Sequence, residues 1–379
     1  MNPFVIEAKV MTTNLPELKI GDLTSRIPII QGGMGVGISL SGLSSAVANE
    51  GGIGVIAAVL TGLGESDIKS DSVNANARAL RREIRKAREK SPSGIVGVNI
   101  MVALTDFGDL AKASIEEGID VIFSGAGLPL SLPGLLKPGS KTKLVPIVSS
   151  GRAAVLLCKK WLAKYDYLPD AFVVEGPMAG GHIGFKHEQI DDPAFALERL
   201  VPEVIEAVKP FEKDRNQPIP VIAAGGIYTG ADILKYLEMG AAGVQLGTRF
   251  VATHECDADI RFKQAYIDAQ KEDIAIIKSP VGMPGRAIRN TFINEVNLGK
   301  RHPFHCPFHC IKPCKQKESP YCIALALASA KKGKLKQGFA FAGANAYRVD
   351  KIISVKELID ALHEEYRLAQ TVQRVASTG

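Results

Sequence analysis

Eight short apolar runs alternate with helix-like segments along the first two thirds of the chain, and this alternation restricts the fold more than any other feature. The runs are Ile27–Gln31, Gly54–Ala58, Ile95–Asn99, Val121–Ser124, Leu144–Val148, Ala171–Glu175, Val221–Ala224 and Gly243–Leu246. They are short and rich in Val, Ile and Ala, which is the pattern of strands buried on both faces of a parallel sheet. Between them lie helical patterns at Ser39–Glu50, Val73–Lys90, Asp106–Glu117, Arg152–Tyr165, Pro193–Lys209 and Tyr228–Met239, while Leu128–Lys143 has room only for a short helix. Strand and helix in alternation predict βαβ units and an α/β fold. Eight units of similar spacing match a closed (β/α)8 TIM barrel. An open doubly wound sheet is the rival, but it would concentrate its phosphate loop after the first strand, and here glycine loops follow many strands.

Beyond the eighth run the pattern changes. Asp257–Glu272 reads as a helix, 279–286 as a Pro/Gly loop, and 301–340 as a Cys/His/Lys-rich excursion before an amphipathic helix at Ser354–Gln370. The expected organisation is a barrel over 1–272, a loop-rich excursion over 273–345 with its cysteines at 306–322, and a C-terminal helix over 346–379 that packs on the barrel.

The chain carries 46% hydrophobic and 23% charged residues, an ordinary globular balance, with a net charge of +6. Much of that charge sits in 301–340, where eight Lys and Arg face Glu318 alone. A solvated basic excursion is the expectation, with no nucleic-acid partner. No apolar stretch is long enough to span a bilayer, and residues 1–10 contain Glu7 and Lys9 without a sustained apolar core. A cytoplasmic protein acting on a small-molecule substrate is therefore expected, with a homo-oligomer left open.

Chemistry concentrates where strands end. Residues 171–184 run from an apolar strand through Glu175 into a glycine loop with His182 in its middle. That places an imidazole at the carboxyl end of a strand, where α/β proteins put their reactive groups, with Gly180 and Gly181 permitting close backbone approach. An imidazole titrating near ~6.5 can serve as acid or base at neutral pH. No Ser or Cys nucleophile stands in a recognised motif, which argues against acyl transfer. Further glycine loops follow the first strand (Gln31-Gly-Gly-Met-Gly-Val-Gly37), the seventh (Ala224-Gly-Gly-Ile227) and the eighth (Gln245-Leu-Gly-Thr248). The first has the wrong spacing for a dinucleotide fingerprint. The last two occupy the positions that form phosphate sites in barrels, where glycine N–H groups and a following helix start can face an anion. Asn99, at the end of the third strand, either faces a heteroaromatic ligand or is a satisfied core amide.

These motifs, in this order, resemble the nitronate monooxygenase (2-nitropropane dioxygenase-like) family and its relatives, the FMN-dependent enoyl-acyl-carrier-protein reductases. The resemblance implies a TIM barrel with non-covalent FMN. Gly225, Gly226, Gly247 and Thr248 would hold the phosphate with Gln245 beside it. Gly32, Gly33, Met34, Asn99, Glu175, Gly180 and Gly181 would complete the cofactor set, and His182 would be catalytic. Glu175 departs from the family's frequent Gln. Nitronate oxidation to a carbonyl compound and nitrite is the first expectation and NAD(P)H-dependent enoyl-thioester reduction the second. A non-enzymatic metal-cluster protein on a barrel scaffold is the third.

The cysteines fit neither enzyme pattern. Cys306, Cys310, Cys314 and Cys322 bring four thiols into 17 residues, with His305 and His309 interleaved and Pro307, Pro313 and Pro320 keeping the stretch looped. A [4Fe–4S] cluster, a structural Zn or uncoordinated thiols would all be compatible with that spacing.

Overall fold

In the computed structural model, which describes residues 14–301, 306 and 308–378, the eight apolar runs close into one parallel barrel. Its strands are β1 (Ile29–Gln31), β2 (Ile53–Ala57), β3 (Ile95–Met101), β4 (Val121–Gly125), β5 (Lys143–Val148), β6 (Phe172–Glu175), β7 (Val221–Ala224) and β8 (Gly243–Leu246). Neighbours pair in sequence order, and β8 returns to β1 through Val244↔Ile29 and Gln245↔Ile30.

Although the strands read as continuous apolar runs, their side chains still divide by strand period. Ile30, Val55, Phe123, Val145, Val173 and Ile222 fill the barrel, and the Leu18–Ile20/Leu23–Ser25 hairpin plugs its lower end with Leu18 and Ile20. Ile29, Ile56, Val98, Ile122, Val174 and Val244 point outward beneath the helices. Those helices are α1 (Ser41–Asn49), α2 (Ser72–Lys90), α3 (Phe107–Glu116), α4 (Gly151–Tyr165), α5 (Leu197–Arg215) and α6 (Gly230–Glu238). The expected short helix in 128–143 is a single 3-10 turn at Leu132–Leu135.

Four short helices and the C-terminal one follow: α7 (Thr248–Val251), α8 (Ile260–Asp268), α9 (Thr291–Asn297), α10 (Ile323–Lys331) and α11 (Val355–Thr378). The helix expected over 257–272 is thus shorter. Asp259 caps α8, whereas the Asp257 carboxylate accepts the Leu40, Gly42 and Leu43 N–H groups at the start of α1. The expected loop over 279–286 also needs correction. Its second half enters a strand, Pro284–Ile288, which pairs antiparallel with Ile274–Lys278 on one side and with Gly181–His182 on the other. Proline lacks a donor but is tolerated at the first position of a strand, where Pro284 sits. Likewise the 301–340 excursion is not looped throughout, because α10 lies inside it. His305 and Pro307 lie outside the described residues.

α1 lies so close to β2 that a Cβ on Gly54 would stand 1.8 Å from the Ser44 carbonyl oxygen. Only a displaced helix could admit it. Gly54→Ala is expected to lower stability by about 3 kcal/mol or more, the upper range for overpacking a core. Urea unfolding of the variant checks this, and an unchanged midpoint would contradict the contact.

Candidate active site

The carboxyl ends of the barrel strands surround a cavity of about 280 Å3. Gly32, Gly33 and Met34 follow β1, Asn99 lies near the end of β3, Glu175 ends β6, and Gln245 lies in β8 just before Gly247 and Thr248. With Gly180, Gly181, His182, Gly225 and Gly226, these line the same cavity, so every cofactor and catalytic candidate from the barrel loops is brought together.

The glycine loop after β7 depends on backbone that a side chain would disfavour. Gly225 and Gly226 both have positive φ, at +95° and +88°, and a Cβ on Gly226 would meet Met178 at 2.8 Å. The helix after the eighth strand is shorter than the expected anion site requires. α7 has four residues, so its dipole contributes little, and backbone N–H groups of the loops must carry any phosphate binding. At the floor, a Cβ on Gly33 would fall 2.3 Å from that of Asn99, which is how close the amide packs beneath the first loop.

His182 is held from three directions. Its short strand pairs with Pro284–Ile288 through Gly285↔His182. Its Nε2 lies 2.7 Å from the Ser279 hydroxyl oxygen, and Phe341 packs edge-on against the ring with centroids 5.1 Å apart. The Ser279 oxygen also accepts the Val281 N–H at 3.4 Å, and the direction of its bond with Nε2 follows the tautomer of the ring. Burial pushes the imidazole down to about 4, so it is neutral at pH 7. Arg286, itself buried, donates to the carbonyls of Pro177 at 2.7 Å and Ala179 at 2.6 Å and so fixes the loop leading to His182.

None of Ser279, Arg286, Phe341 or Asn345 emerges from the sequence as a site residue. Asn345 donates to the Gly226 carbonyl at 2.6 Å, and Ala342 and Gly343 lie against Gly180. The one local signal near Asn345 is its place in Gly343-Ala-Asn-Ala346, another glycine-bearing segment.

Glu175 ends β6 beside Ala224 of β7, and burial pushes its carboxyl up to about 7. Among the described residues lining the cavity there is no Lys or Arg.

Cys306, Cys310, Cys314 and Cys322 line a second pocket of about 100 Å3, and none is in a disulfide. Burial first, then the neighbouring thiols of Cys322, Cys306 and Cys314, pushes Cys310 up to about 12. Among the described residues no three His, Cys, Asp or Glu side chains are grouped to hold a metal ion, and neither the zinc nor the iron–sulfur expectation gains support from such a grouping.

A model of the nitronate monooxygenase family matches residues 17–365. The chain belongs to the nitronate monooxygenase family. The members of this family are oxidoreductases. The chain is 30% identical over 274 residues to the (3aS,4S,5R,7aS)-5-hydroxy-7a-methyl-1-oxo-octahydro-1H-indene-4-carboxyl-CoA dehydrogenase of Mycobacterium tuberculosis, across 72% of this chain and 66% of that one. It is 27% identical over 296 residues to a probable nitronate monooxygenase of Staphylococcus aureus, across 73% of this chain and 79% of that one. Among solved structures, FabK from Thermotoga maritima superposes with a TM-score of 0.70 at 29% identity, covering 93% of this chain and 96% of that one. A nitroalkane oxidase from Streptomyces ansochromogenes shares the fold, with a TM-score of 0.69 at 23% identity over 92% of this chain and 98% of that one.

Glu175 gives the site a measurable signature. A carboxyl raised from 4.5 to about 7 costs the fold roughly 3 kcal/mol once pH exceeds 7, and that cost vanishes below 4.5, where folded and unfolded states are both protonated. Stability carried by this group therefore falls as pH rises from 4.5 through 7. Glu175→Gln is expected to stabilise the protein without bound ligand by up to about 3 kcal/mol at pH 8 and by little at pH 4.5. Urea unfolding at the two pH values measures the difference.

Proposed function

We propose that this family member is an FMN-dependent oxidoreductase whose cavity reduces an α,β-unsaturated acyl thioester. The residues fit the cofactor. The glycine loops after β7 and β8 leave backbone exposed for a phosphate, and Asn99, Gln245 and Glu175 offer polar edges to a ring with mixed donors and acceptors. FMN, when bound, would supply the two-electron redox chemistry that no side chain here provides.

The absence of a lining Lys or Arg among the described residues carries the choice of substrate. A nitronate is a small anion and would enter a cavity with no cation, a neutral His182 and the ionisable Glu175. A neutral enone-like thioester meets no such penalty. Its acyl chain suits the apolar wall of Ile38, Leu60, Val251, Phe262 and Leu327. The Mycobacterium tuberculosis relative is named for a carboxyl-CoA substrate, which is also a thioester.

His182 works as a neutral group in this reading. A nitrogen whose proton equilibrium lies near 4 is a weak base at pH 7 and is poorly matched to abstracting a carbon-bound proton. In the tautomer in which Ser279 donates to Nε2, the Nδ1–H is the group that would donate to the thioester carbonyl, with Phe341 packed against the ring. Glu175, half protonated near pH 7, is the lining group suited to hold the proton that the α-carbon receives. Nitronate oxidation remains the second reading, supported by the family match and the Staphylococcus aureus relative.

Enzyme reduced with dithionite under argon and mixed with a crotonyl thioester is expected to regain its oxidised flavin spectrum. Aerobic enzyme given propyl-2-nitronate is expected to consume little oxygen. The reverse pair of results would replace the thioester with the nitronate. His182→Ala should slow the thioester reaction about a hundredfold while FMN stays bound.

A further inference from the structure

The cysteine pocket is unused by the reaction above. We propose that Cys306, Cys310, Cys314 and Cys322 bind a four-iron, four-sulfide cluster on the wall of the barrel-mouth cavity.

Three observations lead there. First, the four thiols, drawn from 17 residues of chain, line one pocket of about 100 Å3. In a cubane each thiolate takes a different iron, so four cysteines around one pocket supply its ligand set.

Second, Tyr321 lines the same pocket, is 5% exposed, and its hydroxyl has no hydrogen-bond partner. Buried hydroxyls are rarely left unpaired. A cluster sulfur or cysteine thiolate would accept that proton, and hydrogen bonds of this kind tune iron–sulfur centres. Cys322 stands at the N-cap of α10, a nine-residue helix whose positive end favours an anionic ligand.

Third, the segment is built onto the barrel. Leu104 and Ile311 form an antiparallel bridge, Thr105 N–H donates to the Cys310 carbonyl at 3.2 Å, and Lys312 N–H donates to the Ala103 carbonyl at 2.9 Å. The Thr105 hydroxyl donates to the His309 carbonyl. Cys310, Ile311, Ile323 and Ala324 line both pockets, so the thiol pocket adjoins the cavity proposed for FMN. On binding, the four thiols release their protons to solvent and each sulfur bonds one iron.

The test is iron and acid-labile sulfide content of the full chain, purified under argon and reconstituted with ferrous and ferric iron and sulfide. About four of each per chain are expected, with an electron paramagnetic resonance signal after dithionite reduction. Cys314→Ser and Cys322→Ser should lose most of the iron and sulfide while keeping FMN, whose retention reports an intact barrel. Cys158→Ser, outside the pocket, should keep both. No iron after reconstitution, one zinc per chain without sulfide, or iron retained when all four cysteines are replaced would overturn the proposal. Iron and sulfide read the thiols and released flavin reads the barrel, so this assignment and the flavin assignment fail separately.

Discussion

The site depends on one buried cation. Arg286 brings its guanidinium into the wall between barrel and excursion, where it has two backbone carbonyls, Pro177 and Ala179, as partners. Burial lowers its pKa, and hydrogen bonding to the charged group offsets part of that cost. The same residue pairs with Gly181 in the antiparallel ladder, so side chain and backbone together fix the loop from β6 to His182. Loosening it would release Met178, which packs over Gly226, and the imidazole itself. The loop that carries His182 is thus held by a strand more than a hundred residues downstream. A barrel strand alone would leave it free.

Local pattern made the barrel legible. Each strand is a short β-branched run ended by glycine or a polar residue, and each outer helix has its own period. The cofactor candidates were legible for the same reason, since they sit at strand ends whose position follows from the fold. What was missed comes from distant chain. Ser279, Phe341 and Asn345 have no local motif, and only tertiary folding brings them to His182 and Gly226. The loop expected over 279–286 failed because Pro280 and Gly282 do form a turn, but the pairing that starts at Pro284 is supplied by His182 and its neighbour. Asp257 and Asp259 look equally suited to cap a helix, and only the fold shows that the first is spent on α1.

Electrostatics is the ground on which the proposed substrate is chosen. The cavity combines a neutral imidazole, a carboxyl balanced near neutrality and apolar walls, with no cationic side chain among its described lining residues. Under the proposed reading this favours a polarisable neutral carbonyl compound as substrate, while the FMN phosphate would rest on backbone N–H groups of the glycine loops. Glu175, the departure from the family's frequent Gln, is the residue through which this difference would act.

The central claim is that the barrel mouth is a flavin site. Titrating flavin-free protein with FMN, followed by quenching of flavin fluorescence, tests it most directly. One FMN per chain is predicted for the native protein, and binding should be severely weakened in Gly226→Val, where positive φ and the Met178 contact exclude a side chain. A folded native protein that binds no FMN, or a Gly226→Val variant that binds it as well as the native chain, would contradict the account.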